Sequence, residues 1–541
     1  MLRVITLVLG SLLLSACGGG GSSSGSNAVA VYAISLAFTR DTSATPNPFQ
    51  VTASLYKDGQ AETGAAADLD IKLGRGSHGV ISEIAPGQYQ FTVTPVGTGE
   101  YPLTVSYHGV SVQRTALVLA GVQAGWGQPM AVAGLVNTPG YEDGVTVSAD
   151  GQYLFVQYGP LYFSAFQLFN TARANGGCGG DRLHPTRCTH PWLDDTIGPY
   201  TAPARPGFFT GRIDTVNASN RHNANSWMVG DDQSPIFAPS TMFYGFIRQA
   251  DGSYAEPFYL AFNDDNDALA NPYGMSFVLH GDGTATMAFA FDDPADSDMV
   301  DVKGDGTQMV ASGVDVYTDN ITPGQNTNLG SLVPSGVPGT HPIHGSPFAS
   351  QLVNFGKTGT NGIYGTQGNP HLYAENGIVK SIWTDDEQDS DSDRGDLSVY
   401  VLTSGSFPNG SWSKLVLPSV INKPLPSNEI QPFFTGTGLY YTHSSDSELP
   451  AIYYSAYSGA QTLSDYQNAN NWAAPITLLS ADNFTPANAA DIGKIVAVGE
   501  PTLAHYDGND YLYFVYGYIR GFDSISGLPD IDMQAGYIRK Q

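Results

Sequence analysis

Seven residues at recurring places in this chain have the chemistry of a site that binds or cleaves sugars. Glu142 and Asp143, Asn271, Asn369 with His371, Glu429, and Glu500 each open a short apolar run of similar character. Carboxyl groups so placed could act in glycoside hydrolysis, where one acid donates a proton and a second attacks or activates water. They could equally cap turns, the side chain accepting backbone N–H groups at a strand start. Asn271 and Asn369 are each followed by proline and carry no ionisable group. Capping or ligand orientation is therefore the favoured reading.

A second acidic group is the run Asp385–Asp396, DDEQDSDSDRGD. Its carboxylates at Asp389, Asp391 and Asp393 alternate as oxygen ligands do in calcium loops, which then use a glycine to turn the chain. Gly395 comes late for that pattern, and the loop's closing glutamate is missing. A solvated acidic turn is the plainer reading, with calcium as the sharper one. The histidines His184, His190, His222, His341 and His344 show no tight metal spacing such as HExxH. A G-x-S-x-G match around Ser23 lies in GGGGSSSGSN, with no strand before it and no helix after it, and so is no nucleophile elbow.

The elements that must position these residues are strands. Helical periodicity is almost absent, while short alternating runs bounded by Gly, Asp, Asn and Pro recur throughout, the pattern of an all-β protein. From Gln123 onward the runs form a repeat. One element is an aromatic, two residues, a proline and a strand: Trp126–Pro129, Tyr254–Pro257 and Trp472–Pro475, with Leu415 for the proline after Trp412. A second is a strand, a glycine turn and an aromatic strand, at Glu142–Phe155, Asn271–Phe291, Asn369–Trp383, Glu429–Tyr441 and Glu500–Phe514. A third leads into a tyrosine-containing strand, at Asp315–Tyr317, Asp396–Tyr400, Pro450–Tyr457 and Asp530–Tyr537. Each cycle supplies the strands of one propeller blade. The five second elements predict a five-bladed β-propeller over 121–541. Its last blade lacks a Trp-x-x-Pro strand, which stands instead at Trp126–Val136 and would close the ring.

At Val147-Ser148-Ala149-Asp150-Gly151-Gln152-Tyr153-Leu154-Phe155, and at Ser392–Gly395 before Tyr400, the chain resembles the WD40-like (PD40-like) propeller repeats of TolB and of many envelope lipoproteins. The resemblance covers about Gln123 to Gln541. TolB's own ring carries one blade more, so TolB's role does not carry over. Propellers line their channel with the first strand of each blade, which places the seven residues above at its mouth. Several five-bladed glycosidase families carry acids there on three blades. Blades 2 and 3 have Asn-Pro where those enzymes have an acid before proline. An insertion from about 169 to 239 separates the second and third strands of blade 1, and its aromatics suggest an ordered cap. Region 28–120, with alternating runs such as Tyr89–Val93 and Leu103–Tyr107, resembles bacterial Ig-like β-sandwiches.

The chain opens with Met-Leu-Arg, an apolar run from Val4 to Leu14, then Leu14-Ser15-Ala16-Cys17. The run is shorter than the roughly 20 residues a transmembrane helix needs. The last four residues resemble a lipobox, which implies a signal peptide over 1–16, an acylated Cys17, and a flexible tether over 17–27. In Gram-negative lipoproteins Asp after the cysteine favours inner-membrane retention, so Gly18 implies the outer membrane. Cys178 and Cys188 then meet an oxidising compartment, where a disulfide is the simplest pairing. His184 and His190 beside them leave a zinc site as the alternative. A formal charge of −27 repels phosphate backbones, which argues against nucleic acid as a partner. The whole reads as an envelope lipoprotein that binds a glycan or an envelope protein. The alternative is a glycoside hydrolase or polysaccharide lyase using the channel acids.

Overall fold

A computed structural model describes residues 30–541 apart from 43–45, 139–140, 160–227, 230–235, 238–241, 262–271, 293–299, 303–307, 311–313, 326, 329–366, 388–394, 408–409, 425 and 523–528. The described chain is nearly all β. Its helical structure amounts to Leu463–Gln467 and the single turns Ala469–Asn471 and Ala489–Asp491. No helix among the described residues is long and apolar enough to cross a membrane.

Residues 32–118 form two packed sheets. Phe49–Lys57 lies between Tyr32–Arg40 and Gln88–Thr94. Its alternate residues Phe49, Val51, Ala53 and Leu55 are all fully buried, as a period of two requires. They meet Tyr101, Leu103 and Val105 from Gly99–Tyr107 of the facing sheet. The facing sheet does not stop at the sandwich. Val110–Val118 pairs with Met130–Ala131, which pairs in turn with the C-terminal strand Pro529–Arg539. One seven-stranded sheet thus runs in the order Ile495–Tyr506, Asn509–Phe522, Pro529–Arg539, Met130–Ala131, Val110–Val118, Gly99–Tyr107, Asp70–Leu73. The sequence predicts a sandwich over 28–120 beside a separate ring over 121–541. The structure shares a sheet between them, because the short strand at Met130 has two edges and both are filled.

The strand pairing expected of segment Trp126–Val136 with the C-terminus is present. Met130 opposes Tyr537, Ala131 opposes Gly536, and Val132 N–H donates to the Ala535 carbonyl at 2.9 Å. Four further sheets of three or more strands precede that last one in the chain. The first holds Tyr141–Val147, Tyr153–Gly159, Met242–Arg248 and Tyr254–Ala261, with the interruption at 160–241 between its second and third strands. The second holds Pro272–Leu279, Ala285–Asp292 and Val314–Ile321. The third holds Gln367–Glu375, Ile378–Glu387, Gly395–Ser404 and Ser411–Val416. The fourth holds Asn428–Phe434, Gly438–Ser445, Glu448–Ala456 and Ile476–Ser480, extended at its edge by Gly121–Val122. No fourth strand joins the second sheet among the described residues; Thr327–Asn328 pairs parallel to Tyr254–Ala261 of the first instead.

The first strands of the five sheets pack against one another in cyclic succession, the fifth returning to the first. Hairpin turns set each first strand against its second. In the first sheet Asp150 accepts from the Ser148 hydroxyl at 2.6 Å and the Gln152 N–H at 3.0 Å, and Gly151 takes the positive φ that the turn needs. Asp251 and Asp282 accept from the N–H groups of Ser253 and Thr284 in the same way, the side-chain turn chemistry that favours Asp at such corners.

Candidate functional site

Every first strand breaks its pairing at the same level. The register shifts fall at Asp143/Thr146, Tyr273/Met275, Gly368/His371, Ile430/Phe433 and Gly499/Thr502. At each bulge one residue has positive φ: Gly144 (58°), Gly274 (54°), Asn369 (42°), Gln431 (57°) and Glu500 (54°). The last three carry side chains in a backbone region that costs about 1–3 kcal/mol each, a strain that persists where a site over-determines it. The three residues starting at each of these positions, 144–146, 274–276, 369–371, 431–433 and 500–502, line a single cavity of about 350 Å³ counted with its open mouth. Met275, Phe433 and the prolines at 370, 432 and 501 form its apolar wall.

The polar wall is a continuous network. Asn369 Nδ2 donates to Asp385 Oδ2 at 2.7 Å, and the same oxygen accepts the Gln431 N–H at 2.8 Å. Gln431 Nε2 donates to Glu500 Oε1 at 2.5 Å, while its Oε1 accepts from the Thr442 hydroxyl at 2.6 Å. The Thr442 oxygen accepts the Glu500 N–H at 2.9 Å. Glu500 then meets Asp143, carboxyl to carboxyl, in a hydrogen bond. Asp143 Oδ1 and Glu500 Oε2 are sealed from solvent and accept from no N–H or O–H donor. Two carboxyl oxygens in contact need a proton between them.

Burial is the main cause that raises both groups, and for Glu500 the negative charge of Asp143 adds to it. Both carboxyls are raised, so the pair takes up a proton more readily than free carboxylates do. The nearby Gly144 N–H offsets this only in part. Close backbone approach completes the ring: a Cβ on Gly274 would stand 2.4 Å from Asn369 Oδ1 and 2.5 Å from its Cα.

The other residues expected at the mouth fall into two groups. His371 lines the cavity, its ring against Phe433 at 4.1 Å between centroids. Burial lowers its pKa to about 4, so it is neutral and donates Nε2–H to the Phe434 carbonyl at 2.9 Å. Glu142 and Glu429 are fully buried and away from the cavity. Both stand two residues before the positive-φ position of their strands, and both tie down the preceding loop. Glu142 accepts the Thr138 N–H at 3.0 Å and the Thr138 hydroxyl. Glu429 accepts the Lys423 N–H at 3.1 Å and pairs with His443 Nδ1 at 2.8 Å, which raises the His443 pKa. Asp143 stands one residue before that position and Glu500 on it, which is why only these two meet.

Sequence reasoning missed Asp385 and Gln431. Asp385 was visible only as the head of an acidic run. Gln431 shares its one signal, a following proline, with Asn369 and Glu500. Cys17, Cys178, Cys188, Asn271, Asp389, Asp391 and Asp393 lie outside the described residues. Among the described residues no three His, Cys, Asp or Glu side chains group as metal ligands.

No protein-family model and no curated protein matches the chain. Solved structures that resemble it include a glycoside hydrolase, 10% identical over 75% of this chain and 90% of that one, with a TM-score of 0.34. A β-xylosidase is 9% identical over 74% and 91%, with a TM-score of 0.32. A protein of unknown function from Dyadobacter fermentans is 9% identical over 94% and 95%, with a TM-score of 0.30. Likenesses this distant leave the function to be argued from the site itself.

Proposed function

We propose that the five sheets are the blades of a five-bladed propeller closed by its N-terminal strand, joined to an Ig-like sandwich, and that the cavity at their centre binds a glycan without cleaving it. The observation that carries this reading is the contact between Asp143 and Glu500. Glycoside hydrolysis sets its two carboxyls about 5–10 Å apart, with the scissile bond between them. A pair already hydrogen-bonded to each other leaves no room for that bond. Glu142 and Glu429 are spent on loop N–H groups, and Asp385 accepts from Asn369 and from the Gln431 N–H. A concave cavity with apolar walls and a few convergent polar groups suits a small polar ligand, whereas a protein partner would need a broad contact face.

The test is calorimetric titration of neutral oligosaccharides into the wild type and Glu500→Gln, run beside a reducing-sugar assay. Saturable binding by the wild type, weakened in the variant and with no sugar released, is the expected result. Sugar release by the wild type that the variant loses would favour the hydrolase instead.

The same proposal places the protein on the outer membrane through an acylated Cys17. Cys17→Ala should then move it from the membrane fraction to a soluble or unprocessed form. A variant processed and membrane-bound like the wild type would remove the anchor from the proposal.

A further inference from the structure

The charge of the cavity is one-sided. Each amide and imidazole in its wall already makes one hydrogen bond within the protein: Asn369 Nδ2 to Asp385, Gln431 Nε2 to Glu500, and His371 Nε2–H to the Phe434 carbonyl. No Lys or Arg lines it, and His371 is neutral. What remains unbalanced is negative charge. One proton shared between Asp143 and Glu500 leaves that pair with a net charge, and Asp385 adds another on the same network. The Thr502 hydroxyl, on the cavity wall, is buried and has no partner.

A ligand in such a place must not bring negative charge. Like charge facing like charge in a desolvated site is strongly disfavoured and is a means of rejecting wrong partners. Resting on the glycan-binding reading above, we infer that the cavity takes uncharged, hydroxyl-rich sugars and rejects glycans that carry carboxylate or sulfate. Sugar hydroxyls meet the polar side chains of Asn369, Gln431 and Thr502, while Met275 and Phe433 cover the apolar face of the ring. A uronate would bring its carboxylate to Glu500, with Asp143 and Asp385 on the same network and no Lys or Arg in the lining to balance the charge.

The experiment uses the full mature chain and matched ligands: xylo-oligosaccharides with and without a glucuronyl branch, and galacto-oligosaccharides against oligogalacturonates. Titration calorimetry should show the neutral member of a pair binding at least about 100-fold more tightly. The double variant Asp143→Asn/Glu500→Gln removes the charge and keeps the shapes, and should narrow that gap at least about tenfold. Circular dichroism confirms that it folds, and Glu500→Gln alone, with an intermediate gap, serves if it does not. Acidic ligands bound as tightly as neutral ones, or a gap unchanged in both variants, would overturn the inference and leave the glycan reading standing. A wild type that binds no member of either series would overturn both.

Discussion

Asp143, on the inner strand of the first sheet, and Glu500, on the inner strand of the last, share a hydrogen bond between their carboxyl groups across the seam where the ring returns on itself. Both pKa values are raised, so the folded state binds more protons here than the unfolded chain does. The stability this pair contributes is full below the ordinary carboxylate pKa and is lost as pH rises through the raised values.

Glu500→Gln should therefore unfold at a higher temperature than the wild type at pH 8, with the difference shrinking or reversing at pH 4.5. Each pKa unit relieved corresponds to about 1.4 kcal/mol. Thermal unfolding across that pH range checks the sign. A variant less stable than the wild type at pH 8 would contradict the shared proton.

Gly274→Ala should destabilise the junction of the second and third sheets by about 2–3 kcal/mol or more. The new Cβ would strike the backbone of Asn369, and residue 274 would have to keep a positive φ, two of the recognised routes to large losses. Gly252→Ala is the control, since its positive φ is similar and nothing lies within 4 Å of its Cβ. Equal losses at the two sites would show that the close approach is immaterial.

Glu429→Ala should cost about 3–5 kcal/mol, as breaking a buried charged pair does, while ligand affinity per folded molecule stays unchanged. His443 adds a pH signature. Its pKa is raised, chiefly by the hydrogen bond to Glu429, so its stabilisation is full below the ordinary histidine pKa and fades as pH rises through the raised value. The cost of the substitution should be larger at pH 5.5 than at pH 8.5. Chemical denaturation at the two pH values measures it.

Val132→Pro removes the N–H that donates to Ala535 and should cost about 1–3 kcal/mol, the penalty of losing a buried partner at that carbonyl. Amide exchange should rise in Val110–Val118 as well as in Pro529–Arg539, because Met130–Ala131 joins the two. Faster exchange confined to Pro529–Arg539 would show that the sandwich does not depend on that strand.

The hairpins were legible because their chemistry is local. Ser148, Asp150 and Gly151 make their turn from neighbours within five residues, so the motif announces itself. The site was legible only in part. Glu142 and Asp143 are adjacent, and neighbours on a strand point opposite ways. Which of them reaches Glu500 depends on the bulge at Gly144, and no propensity marks that bulge. Asp385 belongs to the site through Gln431, which stands on another sheet. The shared sheet was hidden for a similar reason, since the alternating pattern of Val110–Val118 says that it pairs and not with what.

The joint at Met130–Ala131 also sets an order of events. Asn137 and Ala535, which exchange hydrogen bonds beside it, are 398 positions apart, so this contact closes a very long loop. Such contacts form late. While the chain emerges from its N-terminus, the sandwich reaches Val110–Val118 with its neighbouring strand still unpaired on the far edge, and that edge stays open until Pro529–Arg539 arrives. A chain that lacks Pro529–Arg539 is therefore left with an exposed strand edge available to chaperones and proteases.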